Sequence, residues 1–371
     1  MISFIFYILW GLHVIYAMKN KYNKVVVILT LLFLCLMTFS NTGAEGDAHL
    51  YKRAFELGEE TDDYLFDSFM QLVRSFGVTS YNTFLFILYW IEVLFVWLGI
   101  RKLPVVSLHA FIAVSMMYIF PMLITTIRFS LGLCILFYAL SFLVRKNNFV
   151  YSCCCAISTG VHMSLFVSFY WLLCSKFKEF QKKNSFVYTV YGTIIITGVV
   201  LSLIVYFGKS TIFASIDSVF AFMAYRHGGT YLDGDVASNG GLVFLPCFVL
   251  SLYLSYNLQK SNNSVSKNSK CSFCSAYVSE FILITYKINA LCSVFLPLVF
   301  INLVYCRYLM LPTMLTALSF GSLYRYKIHL QKKYLFYFIL LIISWYIPAY
   351  FELFSLSADA ILKEVINYWN T

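Results

Sequence analysis

Residues 81–100 read YNTFLFILYWIEVLFVWLGI, twenty positions with one charged side chain, Glu92, and apolar runs near this length recur along the whole chain. At 1.5 Å per residue, a helix of about 20 residues crosses the ~30 Å hydrocarbon core of a bilayer. Backbone amides in lipid must bond to one another, so only helices and closed barrels span it. The runs lack the ten-residue alternation of barrel strands. With 61% hydrophobic and 12% charged residues and a mean hydropathy of +0.78, the chain reads as an all-α polytopic membrane protein. Residues 1–371 are expected to form a single integral membrane domain.

Full spans are expected at about 2–18, 24–40, 81–100, 104–124, 127–144, 186–207, 241–258, 281–304, 306–323 and 334–351, ten transmembrane helices in all. Residues 149–174 form an eleventh apolar stretch with bases on both sides. As one crossing helix it would carry SKFKEFQKK, with its four lysines, to the outer face. Split near STGVH it gives two arms of about 12 residues, each too short to span. Such a re-entrant helical hairpin is allowed where it is buried in protein or lines a cavity. It is favoured here because it keeps the lysines inside.

That arrangement orders the charges. The cytoplasmic segments then hold eighteen of the 27 Lys and Arg residues against one acid, Glu179. The net charge of +10 therefore reports the positive-inside rule rather than a nucleic-acid partner. Both chain ends fall outside, together with two long loops, 41–80 and 208–240, and these segments carry most of the acids. The first basic residue, Lys19, follows the first apolar run, so no cleavable leader is expected.

In the first outer loop Leu65, Phe66, Phe69, Leu72, Val73 and Phe76 recur at helical spacing, which predicts an amphipathic helix on the membrane surface. The second loop is expected to have a similar short helix followed by a glycine-rich segment. Residues 259–276 read as a flexible cytoplasmic loop. Within it, Cys271 and Cys274 have the spacing of half a zinc site, but no second pair or nearby histidine accompanies them.

The opening of the span at 127–144, IRFSLGLCILFYAL, contains Arg128, roughly 7 Å from its outer end if the preceding turn falls near residue 123 or 124. An arginine there either snorkels to the interface or serves a ligand. Arg307, in LVFINLVYCRYLMLPTML, has an equivalent outer position. A guanidinium is always charged and presents a planar fork suited to phosphate oxygens, so the two together suggest a clamp for a pyrophosphate. His162, in STGVHMSLF, falls at the hairpin tip as a structural residue, a donor to phosphate or a base. Asp47 and Tyr51, four apart in GAEGDAHLY, share a helix face if a helix begins there. Asp47 is either one more solvated loop acid or the group that takes a proton from a sugar hydroxyl. Tyr225, Arg226 and His227, in MAYRHGG, bring another base and two rings to the same face. Arg226 is thus a third candidate for the pyrophosphate, while Tyr51, Tyr225 and His227 are candidates for a glycan. Glu92, Glu280 and Lys287, in or near spans, read as packing or interface groups. No H-E-x-x-H, G-x-S-x-G or Walker motif is present.

GDAHLY in the first outer loop, IRFSLGLCILFYAL, AISTGVHMSLF and YCRYLMLPTML follow one another in an order and spacing that resembles the EpsG/Wzy-type polymerases of O-antigen and capsular polysaccharide. In that family the first loop often has a basic residue before the acid and a second tyrosine after it. Here Asn41 or Thr42 and Phe55 stand in those places. The resemblance covers about 40–325. It implies a GT-C-like helical fold in the bacterial plasma (inner) membrane and an inverting, metal-independent glycosyl transfer with no cofactor. The donor and acceptor would be undecaprenyl-pyrophosphate-linked glycans in the outer leaflet, with membrane lipid around them. A chain-length regulator and a flippase are the protein partners it implies. Arg128 and Arg307 would bind the pyrophosphate, and Asp47 or His162 would deprotonate the acceptor. An O-antigen ligase shares the donor and a flippase shares the intramembrane charge, although the two similar halves of a transporter are not visible.

Overall fold

The computed structural model describes residues 48–59, 61, 63–104, 127–175, 185–207, 240–265, 272–296, 307–325, 334, 336–341 and 344. Every element among them is helical, with no strand. Three helices are long and apolar enough to cross a membrane: Tyr81–Lys102, Ile127–Val144 and Ala276–Phe295. Asn148–Val161, Met163–Cys174, Ser185–Val200 and Leu311–Phe320 are shorter apolar helices. The expected spans 2–18 and 24–40, and all but the first residue of 104–124, lie outside the described residues. The described residues fall into two compact units: those up to Leu143 with Asn147–Ser168, and Val144–Lys146 with those from Phe169 onward.

The first unit contains α1 (Ala48–Leu57), α2 (Tyr64–Ser75), α3 (Tyr81–Lys102), α4 (Ile127–Val144) and α5 (Asn148–Val161). Its core is aromatic. Phe84 stacks on Phe55 at 4.6 Å between ring centroids, and Phe66, Phe69 and Tyr81 ring it at 5.7–6.2 Å. Helix α2 buries Phe66, Met70 and Val73 on one face, and of these only Phe66 and Val73 belong to the apolar set marked by its spacing. Tyr64, Leu72 and Phe76 on its other side are exposed.

Helices α3 and α4 run side by side in the same direction. Near their C-terminal ends Lys102 donates to the Tyr138 hydroxyl at 2.8 Å and lies 4.4 Å from the Tyr138 and Phe142 ring centroids. Gly99 makes the approach possible, since a Cβ there would stand 3.2 Å from the Tyr138 Cα and 2.9 Å from the Phe137 ring. Both helices end in basic pairs, Arg101–Lys102 and Arg145–Lys146.

After α4 the chain reverses within three residues. Lys146 adopts a left-handed φ of 61°, and the Asn147 amide donates back to the Phe142 carbonyl at 2.9 Å, the long bond of a Schellman end. Asn147 then caps α5, its side chain accepting from the Val150 amide at 3.2 Å. Helix α5 stops at His162, whose φ of −150° and ψ of 114° are extended, and a 3-10 helix follows over Met163–Ser175. The Tyr151 hydroxyl donates to the Ser168 carbonyl at 2.9 Å. Tyr151 and Ser168 stand about 17 and 12 Å along their helices from the break. A single tyrosine bridges them only if the two arms meet at an acute angle, so the chain folds back at His162.

The second unit contains α6 (Ser185–Phe207), α7 (Gly240–Val265), α8 (Ser272–Cys292) with a short 3-10 extension, and α9 (Arg307–Arg325). Helices α7, α8 and α9 pack together around a polar junction. Ser251 donates to Asn289 Oδ1 at 2.7 Å, and the Asn289 amide donates to the Thr316 hydroxyl at 3.0 Å and the Pro312 carbonyl at 3.3 Å. Helix α7 runs on to Val265 and α8 begins at Ser272, so helices enter the segment read as a loop from both ends. Residues 266–271, with Cys271, are outside the described part.

Candidate functional site

The site is built on Arg128 of α4. Little of its side chain reaches water, so its charge needs compensation. Asp63, just before α2, provides it. Its Oδ2 is 2.7 Å from Arg128 Nη1, with the two side chains 8% and 12% exposed. Arg128 Nη1 also donates to the Thr61 carbonyl, and Nε donates to the Tyr51 hydroxyl at 3.0 Å. The guanidinium carbon lies 5.0 Å from the centroid of the Tyr51 ring, within cation–π range. Arg128 is thus a fixed group joined to α1 and to the loop before α2, not one snorkelling into water.

The loop is shaped for this contact. Asp67, in the first turn of α2, accepts from the Thr61 amide at 3.0 Å and from its hydroxyl at 2.5 Å. That turns the Thr61 carbonyl towards Arg128. Asp63 occupies the N-cap position of α2 without making a side-chain capping bond; its carboxylate is committed elsewhere. Its Oδ1 accepts a long 3.4 Å bond from the Met163 amide.

That bond brings in the hairpin break. The His162 ring stands edge-on to Phe129, with centroids 5.6 Å apart. Its Nδ1 accepts from the Ser164 amide at 3.4 Å and lies 3.3 Å from the Ser164 hydroxyl. An Nδ1 that accepts from an amide leaves the proton of a neutral imidazole on Nε2. Two glycines let the elements close up here. A Cβ at Gly132 would come within 3.2 Å of the Ser158 carbonyl, and one at Gly160 would meet the Leu65 side chain at 2.4 Å. Ser158 also donates to the Gly132 carbonyl at 2.7 Å.

Three of the residues singled out from sequence, Tyr51, Arg128 and His162, therefore meet in one place. The ring of Tyr51, offered to a glycan by the sequence reading, is buried and supports Arg128. Asp47 immediately precedes α1 but lies outside the described residues, as do Tyr225, Arg226 and His227. Arg307 is the first residue of α9, and its side chain is outside the described part. Phe55, standing where the family often has tyrosine, is fully buried against Phe84. Asp63 and Thr61 were missed by sequence reasoning. Eight acids crowd residues 41–80, and the available signal was only that Asp63 sits where a helix cap belongs.

The remaining charged groups have other surroundings. Glu92 is fully buried in the middle of α3 beside Ser130. Lys287 is buried in the second unit and donates to the Cys174 carbonyl at 2.6 Å, while Glu280 pairs with Lys146 at 3.5 Å.

A model of the EpsG family matches residues 23–368, nearly the whole chain. No curated protein and no solved structure matches it.

Proposed function

The chain belongs to the EpsG family, and from that premise we propose that it joins undecaprenyl-pyrophosphate-linked repeat units at the outer face of the bacterial plasma membrane. Family membership points to a polysaccharide-polymerase type of function. The observation that carries the finer reading is the guanidinium of Arg128, held at the start of a membrane-length helix in the same site as His162.

In the proposed reaction an acceptor sugar hydroxyl attacks the anomeric carbon of the donor glycan. The bond from that carbon to the pyrophosphate oxygen breaks, and the configuration inverts. The electron pair leaves with undecaprenyl pyrophosphate, whose growing negative charge Arg128, with Arg307 and Arg226, would stabilise. The acceptor proton goes to Asp47. The Ser164 bond to His162 Nδ1 supports a donor role for His162 Nε2–H towards phosphate, which leaves Asp47 as the favoured base. Tyr225 and His227 would meet the glycan. The 149–174 hairpin would enter the membrane from the cytoplasmic side, with both chain ends outside.

Purified protein in nanodiscs, supplied with lipid-linked repeat units, is expected to produce a ladder of lengthened lipid-linked chains, with EDTA present. An unchanged pool would overturn the polymerase reading. Transfer only to an added non-identical lipid acceptor would mark a ligase, and movement across a vesicle membrane without lengthening would mark a flippase. Asp47→Asn is expected to lower the rate by roughly 10²–10⁴ without reducing protein level or donor binding, and added Mg²⁺ should not restore it. Normal chain lengths from that variant would move the base to His162.

A further inference from the structure

The Arg128 guanidinium and the Met163 amide share one carboxylate, and its donors come from elements 65 and 100 residues away in sequence. We propose that Asp63 is a positioning residue for glycosyl transfer: it holds Arg128 and the hairpin break carrying His162 in a single arrangement. The inference rests on the polymerase reading for its activity test, but its geometry stands independently of that reading.

The two oxygens of Asp63 have separate tasks. Oδ2 meets Arg128 Nη1 at 2.7 Å, and Oδ1 faces the Met163 amide at 3.4 Å. Rotating the carboxylate to improve one contact loosens the other, so the plane of the guanidinium is tied to the backbone directly after His162. The Nη1–Oδ2 ion pair also balances the charge of Arg128 when no donor is bound.

The neighbouring acids differ. Glu59 pairs with Arg53 at 2.5 Å, but the two side chains are 46% and 56% exposed, an arrangement that contributes little. Asp67 is used within its own loop, fixing Thr61. Of these three described acids Asp63 is the buried one, and it gives up the capping of α2 to reach two other elements. An ordinary helix cap would not be built this way.

Two variants and two measurements test the idea. Asp63→Asn keeps the size and removes the charge; Asp63→Glu keeps the charge and displaces it by a methylene. Each is expected to lower kcat by about tenfold or more, as misplacement of a site group does. The KM for the lipid-linked donor should stay within about twofold, since a loss confined to the transition state moves kcat alone. The second measurement is hydrogen exchange of amides 161–165 in nanodiscs. Exchange should speed up in Asp63→Asn and in Arg128→Gln, and the double variant should exchange no faster than the singles. An unchanged kcat in both Asp63 variants, a rise in KM matching the fall in kcat/KM, or exchange that ignores Asp63 would overturn the proposal. If the wild type fails to lengthen lipid-linked chains, the polymerase reading fails, while the exchange cycle still decides whether Asp63 couples Arg128 to the hairpin.

Discussion

The two units bury polar groups in different ways. In the second, the α7–α8–α9 junction consists of neutral hydroxyl and amide groups, Ser251, Asn289 and Thr316, bonded to one another and to the Pro312 carbonyl. Such groups hold membrane helices together at modest energy, about 0.6 kcal/mol for an average bond and 1–2 for a strong one. In the first unit one polar cluster is instead centred on an ion pair, Arg128–Asp63, with little exposure to water. A buried pair is weak evidence for stability, because desolvating two charges can cancel their attraction. Neutral glue explains itself by packing; a guanidinium with little access to water does not. Under the proposed function one cluster is structural and the other chemical, and that division can be broken by substitutions that separate activity from folding.

The largest expected effect is that of Arg128→Lys. Lysine keeps the charge but cannot meet Tyr51 through one nitrogen while meeting Thr61 and Asp63 through another. If Arg128 stabilises a leaving pyrophosphate, kcat should fall by about 10²–10³, the range seen when a transition-state donor is removed. Expression and melting temperature should change little, since the lysine ammonium still has Asp63 beside it. Chain-length analysis of polymer from cells carrying the variant checks this. Normal polymer would return Arg128 to an anchoring role and remove the distinction between the two clusters.

How much of this was legible beforehand follows from what each kind of pattern records. The end of α4 at Val144 and the start of α3 at Tyr81 coincide with the apolar runs, because hydropathy reports burial in lipid. The same measure misjudges α7 and α8. Their ends, QKSNNSV and SFCSAYVSE, are too polar to count as span, yet the backbone continues as helix, because helical hydrogen bonding does not require an apolar surface. The break at His162 was visible from length and charge, since two arms of about 12 residues cannot each cross. Tyr51, Arg128 and His162 stood out as polar groups in apolar or patterned surroundings. Asp63 did not, because one acid among eight has no local mark, and its partners come from two distant elements. Phe55 shows the reverse: it departs from a family pattern, and its stacking on Phe84 explains why an aromatic ring without a hydroxyl suffices there.

Asn289→Leu probes the other side of the contrast and should have an intermediate effect. Leucine has the same branching with a larger volume and removes the bonds to Ser251, Thr316 and Pro312, while Ser251 and Thr316, 2.8 Å apart, can still pair. A loss of about 1–2 kcal/mol in stability is expected, read as a lower melting temperature in nanodiscs. Activity per folded molecule should be unchanged. A fall of more than tenfold in kcat with normal melting would mean that the neutral junction also serves the reaction.

Tyr51→Phe should have the smallest effect and sharpens the contrast most finely. The substitution removes only the hydroxyl that accepts from Arg128 Nε at 3.0 Å and leaves a ring for the cation–π contact at 5.0 Å. A hydrogen bond to a charged group contributes about 1.5–3 kcal/mol where both partners are buried. Here Arg128 keeps the Thr61 carbonyl and the Asp63 carboxylate, so the loss should lie at or below the low end of that range. In activity this is a decrease of up to about tenfold in kcat, with little change in melting temperature. Tyr51→Leu removes the ring as well and should be worse than Tyr51→Phe, because the guanidinium then loses the surface beneath it. If Tyr51→Phe instead raises KM for the acceptor with kcat intact, the hydroxyl serves the glycan, and Tyr51 belongs to substrate recognition rather than to the support of Arg128.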